Sequence, residues 1–375
     1  MFAENSNINM KLFFLLMLTF VLGANVYVFY RLCKMMPLMW GKVALIVLAV
    51  ALVGCIFLFF LARDSFSFTF LSAIYKIGTS WFFIFIYLLM VLLLVDLIRV
   101  THIFPIQQYL SASWTGFFSV TGLVAIIMIL GYIKYENKNR VELDITLNKP
   151  TTSGSTLKIV AISDLHLGYS IGKKEFEGWV ELINKENPDI ILMAGDIIDN
   201  SLLPVRQQHM EETFRKLKSK YGIYACMGNH EYISGYKESM EFLKEAGVVL
   251  LKDSAHLVDN SFYIVGRDDR ASNERKATSE LVQSIDRSKP IIMLDHQPYN
   301  LEEVEKNEVD LQVSGHTHRG QVWPISWITD AIYEKSHGYL QKGNSHIYVS
   351  SGIGIWGGKF RINSQSEYAV INLKY

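Results

Sequence analysis

Apolar residues are spread along this chain in two different ways. Up to about residue 133 they come in long unbroken runs, at about 12–30, 43–62, 79–98 and 116–133. Each run is roughly 18–20 residues long and nearly free of charge, the length a helix needs to cross a hydrocarbon layer about 30 Å thick. The pattern predicts an all-α transmembrane region of about four helices over residues 1–133. Trp40, Trp81 and Trp114 fall at the ends of segments, where interfacial anchors are expected. A shorter apolar piece, residues 65–74, reads as an interfacial or re-entrant segment; a fifth span there would invert the topology. The first run follows Lys11 as the apolar stretch of a signal peptide would, but no small-residue cleavage site comes after it, so it reads as retained.

After residue 134 the apolar runs become short. Residues 134–156 are polar, with Pro150 and a Thr-Thr-Ser-Gly-Ser run, the composition of a linker with one short strand at 141–147. From residue 157 to 375 short continuous runs predict buried strands at 157–162, 190–194, 223–227, 248–251, 256–258, 262–266, 290–294, 311–313, 347–350 and 368–373. Between them, helical spacing covers 176–185, 205–220, 236–246 and 274–286. Alternation of this kind predicts an α/β core.

Five polar motifs stand just after apolar runs: Asp164-Leu165-His166, Gly195-Asp196, Gly228-Asn229-His230-Glu231, Asp295-His296 and Gly315-His316-Thr317-His318. Ligands of α/β sheets bind beyond the carboxyl ends of the strands, so residues some 150 positions apart can meet there. Asp164 and His166 are two apart, as are His316 and His318, and in extended chain such pairs point the same way. A lone Asp-x-His is weak evidence, and Gly-Asp after a strand is common turn chemistry. The ordered combination is specific. Mixed His, Asp and Asn donors suit manganese, iron or zinc. Two such cations about 3.5–4 Å apart can neutralise a phosphate, activate a water and clamp the attacking and leaving oxygens.

Net charge is zero, and this hides an asymmetry. Residues 1–133 carry 7 Lys/Arg and 3 Asp/Glu, against 29 and 33 in the remainder. No basic stripe points to nucleic acid. With four spans the N-terminus and the polar domain share one side. That side holds Lys11, Arg63, Lys76, Lys134, Lys138, Arg140 and Lys149, against Arg31, Lys34, Lys42 and Arg99 opposite, which predicts a cytoplasmic polar domain in a multi-pass cell-membrane protein. Asp96 and Arg99 read as a local ion pair closing a helix. Of the three cysteines, Cys33 and Cys55 belong to the apolar region and Cys226 to a strand, where a core role is expected.

The ordered motifs resemble those of the calcineurin-like metallophosphoesterase superfamily, over roughly residues 157–373. The resemblance implies a two-sheet αββα sandwich flanked by helices. It implies that Asp164, His166, Asp196 and His318 bind one metal and that Asp196, Asn229, His296 and His316 bind the other, with Asp196 bridging. By the same resemblance His230 contacts the phosphate and protonates the leaving oxygen, and Asp199 orients it. A closer similarity is to membrane-associated or exported bacterial phosphoesterases, through Gly315–Gln321, Gly266-Arg267-Asp268-Asp269, Ser351-Gly352-Ile353-Gly354 and Phe360-Arg361. Arg319 departs from the Gly usual there; it is either a phosphate contact or a surface residue, and Arg361 is a second, weaker candidate for phosphate. The multi-span start resembles transmembrane proteins that carry a metallophosphoesterase domain.

These readings predict a membrane-anchored, dimetal-dependent phosphomono- or phosphodiesterase. A lipid-linked pyrophosphate substrate of the UDP-diacylglucosamine type is one alternative. A transporter or sensor with a regulatory metallophosphoesterase module is another, against which stands the lack of charged or Gly/Pro-broken spans.

Overall fold

The computed structural model describes residues 2–62, 65–147, 149 and 156–375. The linker run at 150–155 and Arg63 lie outside the described residues. The chain divides into two compact units, Met1–Leu130 and Gly131–Tyr375.

The first unit contains α1 (Phe2–Met35), α2 (Met39–Ala62), α3 (Phe68–Thr101) and most of α4 (Trp114–Glu136). Among the described residues these four helices are long and apolar enough to cross a membrane. Two expectations need correction. Residues 65–74 do not form a separate segment: Ser67 caps α3, accepting from the Phe70 amide at 3.4 Å, and the helix runs unbroken from there. Trp81 therefore lies well inside α3, buried, with its indole N–H donating to Asn25 at 3.1 Å. The expected local pair of Asp96 with Arg99 forms, and Asp96 also reaches across to α1. Its carboxylate meets the buried Arg31 of α1 at 2.7 Å and accepts from Tyr27 at 2.7 Å, whereas Arg99 is 3.6 Å away.

The second unit begins with the last turns of α4, then β1 (Asn139–Thr146) and β2 (Thr156–Ile162). There follow α5 (Lys173–Lys185), β3 (Ile190–Ala194), α6 (Leu203–Gln207), α7 (Met210–Phe214) and β4 (Ile223–Cys226). Next come α8 (Asn229–Ser234), α9 (Tyr236–Glu245), β5 (Val249–Leu250), β6 (Ser254–Val258), β7 (Phe262–Gly266) and α10 (Thr278–Val282). The chain ends with β8 (Ile291–Leu294), α11 (Glu302–Lys306), β9 (Leu311–Ser314), α12 (Ile325–Ile332), β10 (Gly338–Lys342), β11 (Ser345–Val349) and β12 (Glu367–Lys374).

Two six-stranded sheets result, ordered β1-β12-β2-β3-β4-β5 and β10-β11-β9-β8-β7-β6. β2, β3, β4 and β5 are parallel, as are β7, β8, β9 and β11. The strand expected within the linker forms as β1 and pairs in parallel with β12 along its whole length.

Side-chain alternation builds the layers. Ile159 and Ala161 of β2 join Ile292 and Leu294 of β8 in a core between the sheets. Val160 and Ile162 point the other way, against Phe176, Trp179 and Ile183 of α5 and Phe242 of α9. Ile291 and Met293 likewise face Leu281 of α10 and Val304 of α11. Strands covered on both faces have no solvent side, so their sequences read as unbroken apolar runs. Two helices depart from expectation. The 205–220 stretch breaks at His209 (φ 48°) into α6 and α7, and the 274–286 stretch is helical only over α10.

Candidate metal centre

β2, β3, β4, β8 and β9 all deliver a polar motif at their carboxyl ends, two sheets contributing to one rim. Asp164 and His166 follow β2, Asp196 and Asp199 follow β3, and Asn229 and His230 open α8 after β4. His296 follows β8, and His316 and His318 follow β9. All nine predicted residues are brought together there.

The ligand atoms of Asp164, His166 and His318 lie within 4.8 Å of one another, and so do those of Asp196, His296 and His316. Asp196 stands between the groups: Oδ2 is 3.1 Å from His296 Nε2 and 3.8 Å from His166 Nε2. His166 Nε2 and His318 Nε2 face each other at 3.1 Å. His296 Nδ1 is 2.7 Å from the Ala194 carbonyl, which fixes the ring and aims Nε2 at Asp196 and the site. Asn229 Oδ1 is buried with no hydrogen-bond partner among the described residues. Converging lone pairs and an orphaned amide oxygen in a buried site are what cations would satisfy, so the residues fit two metal ions.

The backbone is bent to achieve this. Asp164, His166, Asp196, His316 and His318 all have positive φ, between 46° and 70°, a conformation costing on the order of 1 kcal/mol per non-glycine residue. The loops hold one another in place. The Asp164 amide donates to Gly195 O at 3.0 Å, His166 to Asp196 O at 3.0 Å, and His316 to the Asp164 carboxylate at 3.0 Å. Gly228 and Gly315 are needed for close approach: a Cβ on either would overlap the carboxylate of Asp196 or Asp164.

Electrostatics separate the groups. Burial alone would raise the Asp196 carboxyl, but the His296, His230 and His166 rings reverse this and hold it well below the usual range. Burial and the neighbouring His166 push His318 well down, and burial and His296 push His316 down to about 3. Both imidazoles are thereby neutral donors. His230 goes the other way: Asp196 and the Asp199 contact outweigh burial and raise it to about 9. Its Nδ1 is 2.9 Å from Asp199 Oδ1, and the ring is 13% exposed, more open than that of His166.

A scan against family models matches residues 157–320 to the calcineurin-like phosphoesterase family. A metallophosphoesterase of Aquifex aeolicus is 31% identical over 242 residues, which is 63% of this chain and 92% of that one. This chain belongs to the calcineurin-like metallophosphoesterases. A Helicobacter pylori metallophosphoesterase is 34% identical over 227 residues, 58% of this chain. A zebrafish transmembrane protein with metallophosphoesterase domain is 27% identical over 269 residues, covering 67% of this chain and 61% of its own. The chain spans about 60% of the length of the Helicobacter relative.

Two residues that help shape this metallophosphoesterase site were not singled out by spacing. Glu231 is fully buried and accepts four backbone amides, from Gly228 (2.7 Å), Asp196 (3.1 Å), Ile197 (2.7 Å) and Ile198 (2.8 Å). Its place in the Gly228–Glu231 motif was the available signal. Arg361 is not a phosphate contact. It is fully buried, and its guanidinium donates to the carbonyls of His318 (3.0 Å), Ser351 (2.6 Å), Gly352 (3.2 Å) and Gly354 (2.8 Å). Arg319 is partly exposed and lines a cavity of about 360 Å³ with Asp330, Tyr333, Glu334, Lys335 and His337. The Tyr333 ring lies 6.2 Å from that of His316. Cys226 is buried in β4, away from solvent.

Proposed function

We propose that this protein is a membrane-anchored phosphoesterase hydrolysing a phosphomono- or phosphodiester with two divalent cations, manganese, iron or zinc by donor type. Asp164, His166, Asp196 and His318 hold one cation; Asp196, Asn229, His296 and His316 hold the other. The observation that carries this reading is the buried Asp196 carboxylate between two histidine-bearing groups. When bound, such a pair supplies charge to neutralise the phosphate oxygens and an activated water.

The chain's own residues supply the rest. His230 contacts the phosphate and gives a proton to the leaving oxygen. Asp199 fixes the ring through Nδ1 and stabilises its protonated form, leaving Nε2 for the substrate. Residues 1–133 are the anchor and 157–375 the catalytic domain; the 134–156 stretch joins them and contributes β1 to the sheet. The Lys/Arg distribution supports a cytoplasmic catalytic domain, and a reporter fused after Tyr375 that is active only outside the cytoplasm would overturn that. A lipid-linked substrate is a second reading, favoured by the exposed Trp327, Ile328 and Ile332 on α12 beside the site.

The deciding experiment measures hydrolysis of an aryl phosphodiester by the full chain in detergent with added manganese. Asp196→Asn should lower kcat/KM by more than about a hundredfold, beyond the 10–100-fold typical of outer-shell changes. Elemental analysis should show fewer metal ions per chain. Undiminished turnover by this variant would refute the shared-ligand assignment.

A further inference from the structure

Helix α12 carries a face that none of the described residues of its unit covers. Trp327 is 63% exposed, Ile328 57% and Ile332 56%, in a helix of eight residues whose one charged side chain is Asp330. Single exposed apolar residues are ordinary; three large ones on one short helix beside a site are a patch with a purpose. Trp327 packs edge-on against Trp323, at 5.4 Å between ring centroids. The buried side of α12 is fixed by Ser326, which is fully buried and accepts from Asn363 at 3.3 Å.

The surroundings of α12 say what covers it. Trp323, two residues ahead of the helix, donates its amide to Ile362 O at 2.8 Å, and Val322 forms a parallel bridge with Ile362. The Ile362 side chain packs on Gly131, and the neighbouring Arg361 amide donates to Gly131 O at 3.0 Å. Gly131 belongs to the last turns of α4, a helix long and apolar enough to cross a bilayer. Those turns expose Tyr132, Ile133 and Lys134, the aromatic and basic residues found where a spanning helix meets the headgroups. The Arg361–Ile362 segment thus bonds both to the chain just ahead of α12 and to the last turns of α4.

We propose that α12 is a membrane-docking helix. Its Trp327, Ile328 and Ile332 face lies in the headgroup–acyl boundary of a lipid bilayer, at the depth of about 5–10 Å usual for interfacial helices. The spans keep a bilayer within constant reach of a face too small to bind one alone. Arg319 and Lys335 stand beside this face together with Asp330 and Glu334, so the rim carries both signs of charge and the apolar side chains are what dock. The cavity lined by Arg319, Asp330, Tyr333, Glu334 and Lys335 touches α12 through Asp330, and its Tyr333 ring lies 6.2 Å from that of His316. It takes the headgroup side of a lipid-borne phosphate ester. This last step rests on the phosphoesterase reading above; the docking face does not.

The test uses the full chain in nanodiscs holding one copy each, with Cys33 and Cys55 replaced by Ser. An environment-sensitive fluorophore on Ile328→Cys should shift to shorter wavelength and be quenched by doxyl-labelled lipid. The same label on Leu257→Cys, in β6 at the far edge of the second sheet from β10, should do neither. Equal quenching at the two positions overturns the proposal. So does protection at Ile328→Cys that appears only when two copies share a disc, because the face would then bind a second chain. The Trp327→Glu/Ile328→Glu variant should lose about tenfold turnover on a long-chain alkyl phosphodiester in discs and none on its short-chain counterpart. Quenching without hydrolysis of either ester by the parent chain would sink the phosphoesterase reading and leave the docking helix standing. Equal loss on both esters would refute its role in presenting lipid.

Discussion

At the scale of single residues, the side chains that bear chemistry depend on others that bear none. Arg361 spends its guanidinium on the carbonyl of His318 and on the 351–354 loop, whose Gly352 packs against Asp164. It is a positioning residue for both. Arg361→Met leaves the Ser351 and Gly354 carbonyls with no other donor among the described residues, while His318 O and Gly352 O keep the Gln321 and Glu367 amides, a loss of roughly 1–3 kcal/mol for each orphaned carbonyl where water cannot replace the donor. Metal bound per chain should fall towards one, because His318 and Asp164 belong to one group and His296 and His316 to the other. Arg361→Lys should restore part of it, and isothermal titration with manganese will read both. Loss of stability with two full-strength metal sites would count against this assignment. The metal-ligand candidates were legible in sequence because turn glycines and paired donors recur after apolar runs. Glu231 and Arg361 were not, since a buried charge that serves mainly backbone amides or carbonyls has no characteristic spacing.

Among elements, apolar runs told more about burial than about hydrogen bonding. Val205, Met210, Phe214 and Leu217 all face the core, as helical spacing required, yet the backbone turns left-handed at His209 and the helix becomes two. Residues ahead of α10 are similarly diverted. Asp253 takes the amides of Asp268 and Lys276, and Arg267 donates to Lys276 O at 3.0 Å, so tertiary bonds replace a first helical turn. β10 and α12 escaped notice because each is short and mixed in polarity. β1 shows the opposite case, a polar strand foreseen correctly in an unpromising stretch. It covers an otherwise open edge of β12, a strand buried along nearly all its length. A chain starting at Thr156 should therefore self-associate through β12. One starting at Lys138 should remain monomeric in sedimentation, and equal behaviour of the two would show that β1 is dispensable.

The whole molecule combines a unit of long apolar helices and a unit with three apolar clusters of its own. Separate cores predict separate unfolding transitions. Metal added at about a hundred times its dissociation constant should stabilise the second unit by about 2.7 kcal/mol per site. In calorimetry of the detergent-solubilised chain, a chelator should lower one transition and leave the other in place. A joint shift would mean that the units melt as one.

Glu231 has one more consequence. Four amide hydrogens, from two loops 32 residues apart at Asp196 and Gly228, end on a single carboxylate that water does not reach. None of them can meet solvent until that side chain withdraws, and its withdrawal frees them all. Deuterium should therefore enter positions 196, 197, 198 and 228 at one shared rate, making the pace of isotope uptake a clock for the opening of the catalytic rim.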